Sequence, residues 1–279
     1  MKTFELSRLT NYAKYDLAVN GKRYRNFALM FLLINAAALL FIILSKKRDA
    51  EIDLEFSSYI TYATAWVNFI TAISPLFIII SASLINIPLL DKLKRIHALM
   101  TPASSLEKFV WHAGLCFFGA IATVLASVIL CEVLNLILVP LLLGFGKLES
   151  LTAKFFVAIY DSFRYINNLN DLQTAIMDLS IPLVSYSFIT MVCTYRWRNG
   201  LLWSLLLMFA IGFIVSTALT ALTMNDAFEQ FFSSLFVGQN QIVAGWFFIA
   251  AMWIAILAMW YLAYRHFSNI SLVNKLNKR

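Results

Sequence analysis

Residues 26–45 read NFALMFLLINAAALLFIILS, twenty consecutive positions without a charge. At 1.5 Å of rise per residue, a helix of that length spans about 30 Å, the thickness of the hydrocarbon core of a bilayer. Similar runs recur along the chain. The second span lies in the charge-free stretch 57–90, centred on 66–89, and the third runs from Phe109 to about Cys131. A short fourth occupies 179–195, between Asp178 and Arg196; the fifth is 200–223, and the sixth, 243–264, ends before Arg265. The expected fold is therefore all-α: a polytopic integral membrane protein of about six transmembrane helices, one transmembrane domain over 1–279.

Composition supports this. Apolar residues make up 61% of the 279 and charged residues 13%, roughly half the charged share of a soluble domain. A soluble fold would leave large apolar patches in water. The net charge of +7 is divided among short segments between apolar runs. It reads as an orientation signal with the lipid bilayer as partner, and not as a nucleic-acid footprint. About 25 mostly polar residues precede the first run without a small-residue cleavage site after it, which reads as a retained anchor and not a cleavable signal. Cys116, Cys131 and Cys193 lie in apolar runs without metal-ligand spacing and read as buried thiols.

The basic residues set the orientation. Sixteen of them fall in the N-terminal segment, the loop after the second span, the loop after the fourth, and the C-terminus; six fall in the alternate loops. The positive-inside rule places the larger group, and both termini, in the cytoplasm. Lys46, Lys47 and Arg48 dissent, because the acids that follow them count little in this rule. Trp66 and Trp246 fall near the outer boundary, and Trp111, Trp197, Trp203 and Trp260 near the inner one, as amphipathic rings prefer; Trp253 falls in mid-span. On the outer side, 144–178 reads as an extracytoplasmic loop holding a surface helix, or a helical pair broken at Asn167–Asn170. Residues 224–242 and the run 133–143, broken at Pro140, read as short segments dipping back into the outer leaflet.

Catalytic patterns are missing from the sequence. It has no H-E-x-x-H, no G-x-S-x-G and no P-loop, so it is expected not to be an enzyme and to need no cofactor or metal. His97, His112 and His266 lie at or near the inner boundary without partners at metal spacing. Glu132, about 23 residues into the third run, reads as an interfacial carboxylate facing water; it is also the one candidate for a substrate path. Span hydroxyls and amides such as Asn35, Thr71, Ser74, Ser187 and Thr217 read as bonded between helices or to their own carbonyls. Pro75 and Pro182 are expected to kink their spans.

One segment has a more specific design. In 89–108, LLDKLKRIHALMTPASSLEK, the residues Leu89, Leu93, Ile96, His97 and Met100 share a helical face, with Asp91, Lys92, Lys94 and Arg95 on the others. Thr101-Pro102 stops this amphipathic helix. Ser104 followed by Glu107 has capping-box spacing, so a new helix starts there and leads into the third span. The outcome is a short helix, a hard corner and a fresh helix. Without a partner, the same pattern would only seat the loop on lipid.

Six spans, a basic segment before the first and this helix-proline-serine corner resemble permease subunits of type-2 ABC transporters. Those carry a leucine-proline-x-serine corner where this chain has Thr101-Pro102-Ala103-Ser104. The stretch PASSLEKF at 102–109 is similar to a PASxLEKF element of small permease-like membrane proteins of Bacteroidetes. The resemblance implies a bacterial cytoplasmic (inner) membrane protein, a homodimer or a heterodimer with a second permease. It implies an ABC-type ATPase subunit as partner, touched through a coupling helix, with Leu93, Arg95, Ile96, Met100, Thr101, Pro102, Ser104 and Glu107 as the ATPase-coupling residues. It also implies that 1–25 is an elbow lying on the membrane. Against the family pattern, Thr101 replaces leucine and no arginine follows the serine. The class beyond transport is a membrane scaffold, sensor or assembly factor.

Single cysteines at Asn170, Ser104 and Asn277 test the topology. In intact cells an impermeant thiol reagent is expected to label only the first; labelling of either other site overturns the orientation.

Overall fold

The apolar runs are helices in the computed structural model, which describes residues 4–51, 61–86, 101–143, 148–164, 169–196, 199–223 and 239–276. Among the described residues there are seven α-helices and no strand: α1 (Leu6–Glu51), α2 (Tyr62–Ser81), α3 (Ser105–Leu142), α4 (Leu151–Arg164), α5 (Leu169–Tyr195), α6 (Gly200–Thr223) and α7 (Gln239–Leu276). A 3-10 turn, Ala82–Asn86, continues α2. Five stretches are long and apolar enough to cross a membrane: Leu6–Arg48, Tyr62–Ile85, Ser105–Leu142, Asp171–Tyr195 and Ile242–Asn269. The 24-residue α6 adds the shorter apolar stretch Gly200–Ile214. The protein is an all-α, multi-pass membrane protein.

Several boundaries differ from the sequence-based expectation. The fourth span is not short, because α5 begins at Leu169 and Asp178 lies inside it. Asp171 stands in its first turn, where a carboxylate faces the positive end of the helix dipole. α3 does not end near Cys131, and Pro140 does not break it. This proline comes two residues before the helix ends, so its missing N–H and its ring cost one bond of the last turn only. The stretch 133–143 is therefore largely helix. Segment 6–25 is not a separate elbow: α1 runs unbroken for 46 residues. Nothing in 6–25 stops a helix, since it holds no proline and its single Gly21 costs only about 1 kcal/mol. The stretch 144–178 holds α4 and the first turns of α5. The proposed coupling helix, with Leu93, Arg95, Ile96 and Met100, lies outside the described residues, as does most of 224–242.

The chain divides into two compact units. One comprises Leu17–Ile78 and Gly114–Arg164. Its core takes Phe31, Leu39 and Ile43 from α1, Trp66, Ile70 and Phe77 from α2, Val124, Val128 and Cys131 from α3, and Leu151 and Phe155 from α4. The four-residue steps within these sets are the ridges that helices interlock. Phe27 and Phe31 both stack on Phe77, with ring centroids 4.8 and 4.0 Å away.

The other unit comprises Met1–Asp16, Ile79–Ala113 and Tyr165–Arg279. Here α5 is the hub, packing on α7, α6 and the 3-10 turn. The Phe109 ring meets Trp260, Tyr264 and Phe267 of α7, each at 5.8 Å. Trp260 Nε1 donates to Ser187 Oγ at 2.8 Å, and the Tyr186 hydroxyl donates to the Ala113 carbonyl at 3.2 Å. Two glycines allow close approaches. The Gln173 amide crosses the place a side chain at Gly245 would take, and donates to the Ile242 carbonyl. Gly200, opening α6, lies against the backbone of Cys193.

A Cβ at Gly200 would stand 2.8 Å from the Cys193 Cα, and backbone cannot step aside as a flexible side chain can. Gly200→Ala should therefore destabilise the protein by about 1–3 kcal/mol, read as a lower melting temperature in detergent. Gly245→Ala, which displaces only the Gln173 amide, should cost less.

Candidate functional site

The capping box predicted at the corner is present. The Glu107 backbone N–H donates to Ser104 Oγ at 3.2 Å, and Glu107 Oε2 accepts from the Ser104 backbone N–H at 2.6 Å. This pair satisfies donors that the first turn of α3 would otherwise leave open. The Lys108 ammonium reaches back to the Thr101 carbonyl at 3.2 Å, which fastens the residues on either side of Pro102 to the new helix.

Glu107 does more than cap. Its side chain is fully buried, and its Oε1 accepts from the Glu5 backbone N–H at 2.8 Å and from Arg8 Nη2 at 3.1 Å. Arg8 Nε also lies 3.3 Å from Glu5 Oε2. One carboxylate thus closes the start of α1 and the start of α3 together. A buried charge needs such company, because an unpaired one would cost several kcal/mol.

One turn further on, a second cluster repeats the arrangement. The Tyr12 hydroxyl and His112 Nε2 share a hydrogen bond of 2.8 Å, with the rings edge-on at 5.6 Å. The other ring nitrogen of His112 lies 3.7 Å from Asp16 Oδ2, which also accepts from Trp111 Nε1 at 3.0 Å. The Lys108 ammonium stands 5.7 Å from the Tyr12 ring centre, within cation-π range. Tyr12, Asp16, Lys108 and His112 are all buried. Arg8, Tyr12 and Asp16 are spaced by four along α1, as are Lys108 and His112 along α3, so each set lies on one helical face.

Of the sequence-predicted coupling residues, Thr101, Pro102, Ser104 and Glu107 are described and lie together at this corner. Sequence reading passed over Tyr12 and Asp16, counted Arg8 only as an orientation charge, and took Trp111 and His112 only as boundary residues. The available signal was the four-residue spacing of polar residues that enters an apolar run.

In the other unit, Glu132 Oε2 accepts from the Thr152 backbone N–H at 2.9 Å and from its hydroxyl at 3.3 Å. Ser150 Oγ accepts from the Ala153 N–H at 3.2 Å. The substrate-path candidate thus sits at the N-terminus of α4 and helps to cap it. Beside it, the Asn135 amide and the Tyr62 hydroxyl donate to the Glu149 carbonyl at 2.7 and 3.3 Å. The Glu149 carboxylate accepts from Thr61 and Lys154. Burial pushes the Glu149 carboxyl up, but the bonds from Lys154 and Thr61 and the Lys154 charge prevail, holding it below the usual carboxylate range. Among the described residues no group of three or more His, Cys, Asp or Glu is placed to hold a metal.

No family model matches the sequence, and neither a curated protein nor a solved structure is similar to it.

Glu107→Gln keeps an acceptor for Arg8 but removes the charge. It also gives the buried position an amide with two donors, where the carboxylate only accepts. A charge-assisted bond is worth about 1.5–3 kcal/mol, and a stability loss of that order is expected from unfolding in detergent. Glu5→Gln removes the charge of an exposed partner of Arg8, which also accepts from the Ser7 hydroxyl, and is expected to cost under about 1 kcal/mol.

Proposed function

We propose that this chain is the membrane-spanning permease subunit of an ATP-driven transporter in the bacterial cytoplasmic membrane. ATP hydrolysis belongs to a separate ABC-type ATPase subunit, and two permease chains, identical or different, form the path. The observation that carries this reading is the corner at Thr101–Lys108. A coupling helix at 89–100 is useful only if its displacement reaches a span instead of dissipating in a loose loop. Here the capping box, the Lys108–Thr101 bond and the Glu107 contacts to Glu5 and Arg8 remove that slack. A ligand that binds one state better then shifts the equilibrium between inward-open and outward-open forms.

A second reading, a non-transport scaffold, sensor or assembly factor, draws on the continuity of α1. The resemblance implies an elbow on the membrane surface before the first span, and this chain instead runs helical from Leu6 through the apolar stretch.

Gentle solubilisation followed by affinity purification separates the two. The permease reading expects a nucleotide-hydrolysing partner with the wild-type chain, and its loss when Ile96 and Met100 are both replaced by Asp. Those residues would be anchors in a helix-in-groove contact. Ser104→Ala, which removes a cap worth about 0.5–2 kcal/mol, should leave the partner bound and weaken its stimulation. A wild-type chain that brings down no such partner overturns the permease reading.

A further inference from the structure

The end of α5, the first turn of α6 and the point in α7 where its charge-free stretch stops hold a cationic patch without a carboxylate partner among the described residues. The Tyr195 ring stacks on His266, with centroids 4.0 Å apart and planes at 19°. This stack sets the last residue of α5 level with the point where the charge-free stretch of α7 ends at Arg265. Arg196, the next residue after α5, places its guanidinium over the Trp203 ring of α6 at 5.4 Å. Arg196, Arg265, Tyr195 and Trp203 are exposed. Among the described residues neither guanidinium has a carboxylate partner. The sequence around each arginine supplies none either: 179–225 contains Arg196 and Arg198 and no acid, and 239–279 contains Arg265, Lys275, Lys278 and Arg279 and no acid.

We propose that this patch seats the head group of an anionic phospholipid, with Arg196 and Arg265 facing its phosphate and Trp203 and Tyr195 bounding it. Depth selects lipid as the occupant. Arg196 directly follows the apolar stretch Asp171–Tyr195, and Arg265 is the first charge in the stretch Ile242–Asn269, after more than 20 charge-free residues, so both reach the level where phosphodiesters lie. Tryptophan and tyrosine prefer the same level. Arginine suits the task because its planar fork binds two phosphate oxygens and still stacks on an aromatic face. The stacked Trp203 holds Arg196 in place, which turns a diffuse surface attraction into a defined seat.

The test is native mass spectrometry of the purified chain titrated with phosphatidylglycerol or phosphatidylcholine. The wild type should retain phosphatidylglycerol preferentially. Each interfacial cation changes affinity about five-fold, so Arg196→Gln with Arg265→Gln should lower it roughly 25-fold. Lys47→Gln with Arg48→Gln removes the same charge elsewhere and should leave it unchanged. Trp203→Leu keeps both charges and should give a smaller loss. Equal retention of the two lipids by the wild type, or equal losses in the two double variants, would overturn the seat. Displacement of phosphatidylglycerol by inorganic phosphate would reassign it to a free anion. Should the Arg196/Arg265 variant not survive purification, the wild-type lipid preference and the Trp203→Leu loss still decide.

Discussion

A helix end buried from water, whether in protein or in lipid, must have its open N–H groups closed by the protein's own side chains. That constraint governs where this chain places its few charges. At the start of α3, Glu107 and Ser104 satisfy each other's backbone donors, and the remaining carboxylate oxygen takes the first donor ahead of α1. At the start of α4, Ser150 and Glu132 do the equivalent work. In both places a negative group meets the positive end of a helix dipole, so capping and electrostatics act in the same direction.

The same constraint explains the polar residues inside the spans. Thr71 donates to the Val67 carbonyl, Ser74 to Ile70, Ser185 to Ile181, Ser187 to Leu183 and Thr217 to Phe213. Each hydroxyl is bound within its own helix, one turn back. Ser187 also accepts from Trp260, and so ties α5 to α7. A row of such residues in the sequence therefore indicates helix that can tolerate lipid, and it does not by itself mark a path for a solute.

The spans were legible because their signal is long and uniform: a charge-free run such as 26–45 has few alternatives. The corner was legible because a capping box is local, with all its partners within four residues. Helix ends were harder. Pro140 and Asp178 look like boundaries in sequence, yet one falls where little is lost and the other inside a helix already stabilised by packing. The contacts of Glu107 with Glu5 and Arg8, and of His112 with Tyr12 and Asp16, join residues about a hundred positions apart. No local pattern names such a partner, and spacing by four shows only that a face exists.

Burying Asp16, Glu107, Lys108 and His112 together is a poor way to gain stability, since well-packed apolar side chains of similar size would do as well or better. What such a cluster does supply is intolerance of rearrangement. Sliding the first turns of α1 past the start of α3 would strand at least one buried charge, whereas apolar side chains would repack. Residues 5–16 and 101–112 therefore behave as one body. In the proposed permease role this has a definite consequence: a push delivered to 89–100 moves the beginnings of two helices at once. α1 itself is helical from Leu6 to Glu51, which departs from the elbow that the resemblance implies.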